Sequence, residues 1–598
     1  MRDNTLVKMV DNRADRYGNR TVLERKVNGT WESISWDYLA RTYREVGRGL
    51  LCLGLENGDR VAILSENRPE WTFADLGTFA MDGVVVPLYW TLTPAQLEYI
   101  LRDCAAKAIF VSDVQYLDKI LKIRSALPDL KTIICFDPFP KDRLEEGVMT
   151  FDELITRGCD AEPEMWEAMG RSIAEGSGDD LATIIYTSGT TGEPKGVMLT
   201  HDNFLSNIRS VLKVIDINET DICLSFLPLS HVFERVAYYL FLFVGGRIAY
   251  AESIDQLMAN MSEVHPTILI SVPRIYEKAY GRIFDRVRES SGLKRLIFYS
   301  SLNCGLKVSA KLLAGEKPGA WLRFRQRIAD KLVFSKLRQN FGGRIRLMIS
   351  GGAPLSKQIG EFFYAAGLVI LEGYGLTETS PVISANLVEK IRFGSVGPIL
   401  PDVEVRFADD GEIQVKGPNV MKGYYNLPQE TAEDLDGEGW FSTGDIGHID
   451  HDGFLVITDR KKALIVTAGG KNVAPAGIEN ALSTDKFINQ AFAYGDRRKY
   501  ISALIAPDWE RIENYAREHK IQFSTHAELC ENEVINNLMR KRVDGALKDF
   551  SPFEQVKRFK LMEREFSQEE GEVTPTLKLK RKEITSRYFK DLEALYDE

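Results

Sequence analysis

In the first two-thirds of the chain, short apolar runs alternate with segments whose apolar residues have helical spacing. Arg60–Leu64 and Val84–Leu88 are predicted as buried strands, and Pro69–Met81 between them as a helix. Further strands are predicted at Ala108–Val111, Thr132–Cys135, Thr267–Val272 and Arg346–Ser350. Strands that alternate with helices are typical of parallel sheets covered by helices. The pattern therefore predicts an α/β fold whose large N-terminal domain contains layered, largely parallel sheets.

The pattern changes after Pro401 to short strands separated by glycine turns. Glu404–Phe407, Glu412–Val415 and Phe454–Thr458 are predicted as strands, which indicates a small antiparallel sheet or barrel at about 400–459. Beyond this segment the pattern is mixed again, with a strand predicted at Ile501–Ala506 and a helix at Glu528–Leu547. We therefore predict a large domain at 1–459, a hinge at 460–462 and a smaller, mobile α+β domain at 463–598.

Charge and composition exclude several classes of protein. The 598-residue chain has a formal net charge of −10, which argues against a nucleic-acid-binding protein because such a protein needs a positive field. The N-terminus lacks the apolar core of a signal peptide, and the apolar run Val236–Gly246, a buried helix or strand, is shorter than the roughly 20 residues that cross a bilayer. Seven scattered cysteines form no metal-ligand or disulfide pattern. A cytoplasmic location is expected.

A glycine- and hydroxyl-rich loop is the most informative segment. In residues 183–196, TIIYTSGTTGEPKG, an apolar strand leads into a loop with three glycines, several hydroxyls and Lys195. Glycine allows backbone N–H groups to turn toward an anion, and the hydroxyls and the lysine add further donors. The loop is not a Walker loop, because Gly196 rather than Ser or Thr follows the lysine. A triphosphate is the expected ligand.

On this loop the chain closely resembles the adenylate-forming superfamily of acyl-CoA synthetases, luciferases and peptide-synthetase adenylation domains, from about Val7 to Lys590. The string EGYGLTET at 372–379 is similar to the nucleotide-binding signature of that family. The resemblance implies that Tyr374 stacks on adenine, that Thr377 approaches the α-phosphate, and that Glu378 and Thr190 hold Mg²⁺. An aromatic face suits a purine, and a hard cation prefers oxygen ligands.

Other strings match the family in the same order. The loop SGGAP at 350–354 resembles the lining of the adenine and acyl pocket, and GWFSTGD at 439–445 resembles the segment whose aspartate, Asp445, binds the ribose hydroxyls. DRKK at 459–462 resembles the hinge, with Arg460 facing the nucleotide and Lys462 at the pivot. Near the C-terminus, TPTLKLKR at 574–581 resembles the motif whose lysine reaches the active site during adenylation. Its spacing selects Lys578, although Leu577 stands where the family commonly has glycine, and Lys580 remains the alternative.

The resemblance gives a complete set of candidate site residues. The candidate catalytic residues are Lys578, Thr190, Glu378 and His231. The candidate nucleotide- and thiol-binding residues are Thr187, Ser188, Gly189, Thr190, Thr191, Gly192, Lys195, Gly352, Ala353, Glu372, Gly373, Tyr374, Gly375, Thr377, Asp445, Ile457, Arg460, Lys462, Gly470 and Lys471. His231 lies in LPLSHVFER at 227–235, which resembles the acyl-binding and gating region, and the gate itself is left open between Phe233 and Arg235.

The expected activity is that of a long-chain fatty acid–CoA ligase, which uses ATP, Mg²⁺ and coenzyme A. A medium- to long-chain fatty acid is activated to acyl-AMP with release of pyrophosphate and is then converted to a thioester. Two alternatives stay open: transfer to an acyl carrier protein, and a nucleotide-binding relative without catalysis. The expected partners are fatty acid, ATP and coenzyme A, with no nucleic acid and no transmembrane segment. Peripheral contact with the inner face of the membrane and the oligomeric state, including a homodimer, are left open.

Overall fold

The computed structural model of the protein describes residues 3–187, 193–461, 465–468, 471–574 and 578–597. These residues form an α/β fold with a large N-terminal domain and a smaller C-terminal domain, as the pattern predicts. Among the helices within these ranges, none combines the length and the apolar character needed to cross a membrane.

Two eight-stranded sheets form the large domain. In spatial order, the strands of the first sheet are Val382–Ala385, Ile370–Gly375, Leu347–Ser350, Ile268–Ser271, Ile222–Ser225, Arg247–Tyr250, Thr21–Val27 and Thr30–Ser35. Those of the second are Gly423–Tyr424, Lys195–Thr200, Leu181–Thr187, Val84–Leu88, Arg60–Leu64, Ala108–Val111, Thr132–Cys135 and Val148–Thr150. Parallel pairs dominate both sheets, and antiparallel pairs occur toward their edges.

The strand Arg60–Leu64 shows why these runs are apolar without alternation. Val61 and Ile63 belong to the largest core cluster, which lies between the two sheets, whereas Ala62 and Leu64 belong to the cluster on the opposite face. Both faces of the sheet are therefore covered, which is the usual arrangement for parallel strands.

Three smaller sheets follow within the described residues. Glu404–Phe407, Glu412–Lys416, Phe441–Ile449 and Leu455–Arg460 form a four-stranded antiparallel sheet in that order, the sheet alternative of the prediction. In the C-terminal domain, Ile488–Tyr494, Ile501–Pro507 and Val556–Leu561 form a three-stranded sheet, and Ile465–Val466 pairs with Asn472–Val473.

Helices cover these sheets. Their bounds are Leu6–Tyr17, Trp36–Cys52, Pro69–Ala80, Pro94–Asp103, Val114–Leu121, Phe151–Cys159, Pro163–Glu175, His201–Leu212, Val232–Val244, Leu257–Val264, Pro273–Glu289, Gly292–Leu313, Ala320–Ala329, Ser335–Asn340, Lys357–Ala365, Pro428–Asp434, Pro475–Ser483, Trp509–Glu518, His526–Glu531, Glu533–Ala546, Arg581–Arg587 and Phe589–Ala594. The apolar run Val236–Gly246, predicted as a helix or a strand, thus lies mostly in a helix.

One predicted helix is wrong in extent. The segment predicted as a continuous helix, Glu528–Leu547, contains the end of one helix at Glu531 and a second helix that begins at Glu533. Asn532 between them has extended backbone angles, and its side chain accepts hydrogen bonds from the N–H groups of Val534 and Ile535. Asparagine is strongly favoured at such an N-cap, so the side chain starts a new helix where the apolar spacing alone predicts continuity.

Candidate active site

Asp445, in the middle of the strand Phe441–Ile449, is the centre of a polar cluster to which three strands contribute. Its carboxylate accepts a hydrogen bond from the Tyr374 hydroxyl, 2.7 Å from Oδ2, and another from Arg460 Nε, 2.9 Å from Oδ1. Asp445 and Arg460 face each other in adjacent antiparallel strands. Ile457 and Tyr374 both pack against the small apolar cluster beneath the four-stranded sheet. The structure thus brings together four predicted site residues that are far apart in sequence.

The turn after Tyr374 depends on glycine. A Cβ atom on Gly375 would lie 1.6 Å from the carbonyl oxygen of Pro381, so no other residue fits without a backbone shift. This close approach lets the strand Ile370–Gly375 pair with Val382–Ala385 and lead into the short turn that holds Thr377 and Glu378. Gly373 is different, because a Cβ atom there would make only ordinary contacts.

Glu378 lies in a group of polar side chains that includes Lys195. The Tyr424 hydroxyl is 3.3 Å from Glu378 Oε1 and 3.1 Å from Asp434 Oδ2. Lys195 Nζ lies 4.7 Å from the centre of the Tyr424 ring and forms an ion pair of 2.5 Å with Glu430. Burial raises the pKa of Glu378. The lysine predicted to face phosphate therefore lies beside the ring that contacts Glu378, with a carboxylate as its partner.

The central residues of the glycine-rich loop lie outside the described residues. These are Ser188, Gly189, Thr190, Thr191 and Gly192, and the same holds for Lys462 and Gly470 in the C-terminal half. The two ends of the loop are described: Thr187 and Lys195 face each other in antiparallel strands. The strand-loop-strand context predicted for this segment is thus present.

Lys578 of the C-terminal domain lies among the charges of the large domain. Desolvation and the Arg460 guanidinium lower the pKa of its ammonium group, while the carboxylates of Asp445 and Glu378 act in the opposite direction. The side chain keeps solvent-accessible surface, so it lies in a cleft open to water. The structure therefore places the predicted catalytic lysine within electrostatic reach of the nucleotide-site candidates.

His231 lies near Lys578. Its Nδ1 accepts a hydrogen bond of 3.1 Å from the N–H of Phe233 and caps the helix Val232–Val244. Burial, with a smaller contribution from the nearby Lys578 ammonium, lowers the pKa of His231 to about 3. The imidazole is therefore neutral at pH 7 with its proton on Nε2, because Nδ1 is an acceptor.

The loop at 350–354 connects the nucleotide-site strands to the His231 helix. A Cβ atom on Gly351 would lie 2.8 Å from the Phe233 ring, and Gly352 has φ of +80°. The Glu372 carboxylate accepts hydrogen bonds from the N–H groups of Leu355 and Gly394, and burial raises its pKa to about 7. Glu372 thus holds the loop that contains Gly352 and Ala353, and its described contacts are with protein backbone.

Lys471 lies on the two-stranded ladder of the C-terminal domain. Its backbone exchanges hydrogen bonds with Thr467, and its ammonium is 6.0 Å from the centre of the Phe553 ring. Within the part of the chain that the structure describes, these contacts all join residues of the C-terminal domain. The structure does not bring Lys471 to the Asp445 cluster.

Comparison with known proteins decides the family. Residues 10–425 match the family model described as AMP-binding enzyme, and residues 462–598 match the model described as AMP-binding enzyme C-terminal domain. The chain belongs to the AMP-binding enzyme family. The resemblance stated from the motifs is therefore confirmed.

Members of the AMP-binding enzyme family that resemble this chain include two curated ligases. The chain is 34% identical to long-chain-fatty-acid–CoA ligase FadD15 of Mycobacterium bovis, over 96% of this chain and 94% of that protein. It is 32% identical to long-chain-fatty-acid–CoA ligase ACSBG1 of Homo sapiens, over 99% of this chain and 85% of that protein. The crystal structure of the adenylation domain of a carboxylate reductase from Mycobacterium chelonae has a TM-score of 0.78 and 23% identity, and covers 99% of this chain and 91% of that one.

Two residues of this AMP-binding enzyme site were missed by sequence reasoning. Tyr424 contacts Glu378, and Glu430 forms an ion pair with Lys195, yet neither Tyr424 nor Glu430 lies in a recognisable motif.

The two candidates for the gate differ in burial. Arg235 is completely buried and forms an ion pair of 2.5 Å with Asp75. Hydrogen bonds from Arg235 to Thr183 and Tyr239 complete this network. Its position is therefore fixed in the core, whereas Phe233 remains partly exposed.

Proposed function

We propose that the protein is an ATP-dependent ligase that activates a medium- to long-chain fatty acid as acyl-AMP and then transfers the acyl group to coenzyme A. One observation carries the proposal: Lys578 of the C-terminal domain lies among Asp445, Glu378 and His231 of the large domain. An enzyme that joins two anions needs a cation at the point where their charges meet. The relatives FadD15 and ACSBG1, both named long-chain-fatty-acid–CoA ligases, support the same activity.

The nucleotide is proposed to bind at the Asp445 cluster. Tyr374 offers an aromatic face for adenine, and Ile457 packs beside it. The Asp445 carboxylate accepts from the ribose hydroxyls, and Arg460 fixes its orientation. The loop residues Gly352 and Ala353, held by Glu372, and the strand glycines Gly373 and Gly375 line the adenine side. Thr377 and the loop 187–195 contact the phosphates.

Magnesium is proposed to bind at Glu378 and Thr190. Mg²⁺ usually has one or two protein carboxylates, with phosphate oxygens and water as its other ligands. Glu378 supplies a partly buried carboxylate, and Thr190 supplies a hydroxyl oxygen from the glycine- and hydroxyl-rich sequence, which fits that requirement. Bound there, the ion would neutralise phosphate charge.

The first step joins the acid to the nucleotide. A carboxylate oxygen attacks the α-phosphorus, the bond from that phosphorus to the bridging oxygen breaks, and pyrophosphate leaves. Lys578 stabilises the charge that develops on the phosphoryl oxygens, because its ammonium is a donor in a partly desolvated cleft. His231 is neutral and adds no charge that would compete with the lysine, and it is proposed to line the acyl pocket.

The second step forms the thioester. The sulfur of coenzyme A attacks the acyl carbonyl, the thiol proton is lost to solvent or a base, and AMP leaves. We propose that the chain divides into domains at 1–459 and 463–598 with a hinge at 460–462. Rotation of the small domain removes Lys578 from the site and brings Gly470 and Lys471 toward the thiol.

The location proposed for the protein is the cytoplasm, and the oligomeric state is left open.

An acid panel tests the proposed function. Pyrophosphate release is measured with ATP, Mg²⁺ and fatty acids of increasing chain length, with coenzyme A as the acceptor. Release that depends on the acid, together with acyl-CoA in the products, supports the proposal. A parallel assay with a phosphopantetheinylated carrier protein separates the alternative acceptor. If none of the acids causes pyrophosphate release, although the chain still binds ATP, the proposal is contradicted and a non-catalytic relative is favoured.

A further inference from the structure

The segment 292–340, here called the basic hairpin, has a charge opposite to that of the rest of the chain. It contains eleven lysines and arginines but only two acidic residues, Glu316 and Asp330. Its net charge is therefore +9, whereas the whole chain carries −10. Lys311 pairs with Glu316 and Arg338 with Asp330. Among the residues that the structure describes, the other nine basic side chains have no acidic partner within ion-pair distance.

The first helix of the basic hairpin, Gly292–Leu313, is apolar on both of its faces. Its inner face packs against the helix Lys357–Ala365, and a Cβ atom on Gly305 would lie 2.8 Å from the Ala365 carbonyl oxygen. Its outer face has Leu296, Tyr299, Leu306 and Leu313 at spacings of three and seven residues. These side chains share one side of the helix and are exposed, Leu296 to 67%. The helix is thus fixed to the body and exposes an apolar stripe.

The second helix, Ala320–Ala329, and the short π-helix after it, Asp330–Phe334, continue this exposed surface. Trp321, Phe324, Ile328 and Leu332 lie at spacings of three and four residues, and Trp321 is 71% exposed. The rings of Trp321 and Phe324 stack with their centres 5.7 Å apart. Between the two helices, Leu296, Ile328 and Leu332 help to line a groove of about 280 Å³. Large apolar side chains concentrated in this way on a protein surface mark a site of interaction.

We propose that the basic hairpin docks onto the surface of a membrane that contains anionic phospholipids. The leucine, tryptophan and phenylalanine side chains would enter the boundary between head groups and acyl chains, as amphipathic helices do. The surrounding lysines and arginines would lie at the level of the phosphates, with their aliphatic stems along the apolar surface. Arg323 and Arg327 in the second helix and Lys331 in the π-helix after it alternate with the apolar residues and supply this charge.

The positive charge of the basic hairpin favours an anionic membrane over a second copy of this chain as its partner. A second copy of this chain, placed face to face, would bring two surfaces of +9 together, which electrostatic repulsion disfavours. An anionic bilayer complements the hairpin and repels the remainder of the chain, which carries −19, so the same charges also orient the protein. The expected benefit of docking, access to a long-chain fatty acid that partitions into bilayers, rests on the proposed function. The membrane binding itself is independent of the proposed function.

Vesicle flotation with the full-length chain tests the proposal. Vesicles of phosphatidylcholine with about 30% phosphatidylglycerol are compared with vesicles of phosphatidylcholine alone, without ATP or fatty acid. The chain is expected to float with the anionic vesicles and to be released by high salt, since the electrostatic part of the binding is screened. Failure to bind anionic vesicles at low salt would overturn the proposal.

Two variants separate the apolar and the electrostatic contributions. Trp321→Ser with Phe324→Ser removes the inserted side chains, and Arg323→Glu with Arg327→Glu and Lys331→Glu reverses the charge. Each is expected to lower vesicle binding by roughly tenfold or more. The matched control is Leu144→Ser with Ile254→Ser, two apolar residues of similar exposure outside the hairpin, 59% and 56%. Unchanged binding in both hairpin variants would overturn the proposal.

Two further readouts distinguish other outcomes. Thermal unfolding verifies that each variant folds, and pyrophosphate release with a water-soluble acid in the absence of vesicles reports the proposed function independently. Both are expected to stay at the wild-type level in the hairpin variants. Size-exclusion chromatography tests whether a second copy of this chain covers the hairpin instead. Membrane docking would be contradicted if the wild-type chain were a dimer, if Trp321→Ser with Phe324→Ser converted it to a monomer, and if neither protein bound vesicles.

Discussion

At the scale of single residues, the Asp445 carboxylate has two separate partners. Tyr374 donates to one oxygen and Arg460 to the other, so the carboxylate is held in one orientation. The side chain is only 6% exposed, and its remaining lone pairs are available to a diol in the cleft. Loss of its negative charge should therefore affect nucleotide binding more than folding.

The first prediction concerns Asp445→Asn. The amide keeps the shape but weakens the charge-assisted hydrogen bonds, so the KM for ATP is expected to rise roughly tenfold to a hundredfold. Steady-state kinetics with a saturating fatty acid measure this change. Asp409→Asn, in an exposed turn of the same small sheet, is the control and should leave KM unchanged. A KM for the Asp445 variant within twofold of wild type would argue against the ribose role.

The sequence predicted those site residues that lie within a motif of consecutive residues. Tyr374 and Asp445 were selected by motif resemblance, and the structure brings them within hydrogen-bond distance. Tyr424 was not found, because it contacts Glu378 across 46 residues and lies in a two-residue strand. The ion pair of Lys195 with Glu430 was missed for the same reason. A local pattern contains no information about partners that only the folded sheet brings together.

At the scale of elements, the helix Val232–Val244 has a buried acid in its first turn. Glu234 is 2% exposed and accepts a hydrogen bond of 2.5 Å from the Ser225 hydroxyl. Burial raises the pKa of Glu234 to about 8. The carboxyl is thus protonated in the folded protein at pH 7, while in the unfolded chain it ionises at about 4.5.

The second prediction follows from this difference. Because the folded state holds a proton that the unfolded state releases, the contribution of Glu234 to stability is most favourable below pH 4.5 and falls by about 1.4 kcal/mol per pH unit up to pH 8. Glu234→Gln removes this dependence, so the variant should gain stability relative to wild type between pH 5.5 and 8.5. Urea unfolding at both pH values measures the gain. A constant difference at both pH values, like that expected for the exposed control Glu404→Gln, would contradict it.

Element types were more predictable than element ends. Apolar runs in the large domain gave strands such as Arg60–Leu64 and Ala108–Val111 with the observed bounds, because both faces of those strands are buried. The run Val236–Gly246 did not distinguish helix from strand, since a helix buried on all sides has no amphipathic period. The break at Asn532 was missed because a capping side chain overrides apolar spacing.

At the scale of the whole molecule, several contacts join the C-terminal domain to the large domain. Arg511 forms an ion pair with Asp285, and Arg274 Nη1 donates to the carbonyl oxygen of Asn489 at 3.0 Å. Gln568 Nε2 donates to the Thr91 hydroxyl at 2.6 Å. These contacts accompany the position of Lys578 beside the Asp445 cluster. The domain order was readable from the sequence, but this arrangement was not, because its contacts join residues hundreds of positions apart.

In the proposed mechanism Lys578 acts with the large domain during adenylation but not during thioester formation. Measuring the two half-reactions of Lys578→Ala separately tests this role most directly. Acid-dependent pyrophosphate release should fall by about a hundredfold or more, because the main cation at the reacting phosphate is lost. Thioester formation from supplied acyl-AMP and coenzyme A should stay within about threefold of wild type, and the control Lys580→Ala should leave both half-reactions near normal. Equal loss of both half-reactions in Lys578→Ala, or loss of pyrophosphate release in Lys580→Ala instead, would contradict this role of Lys578.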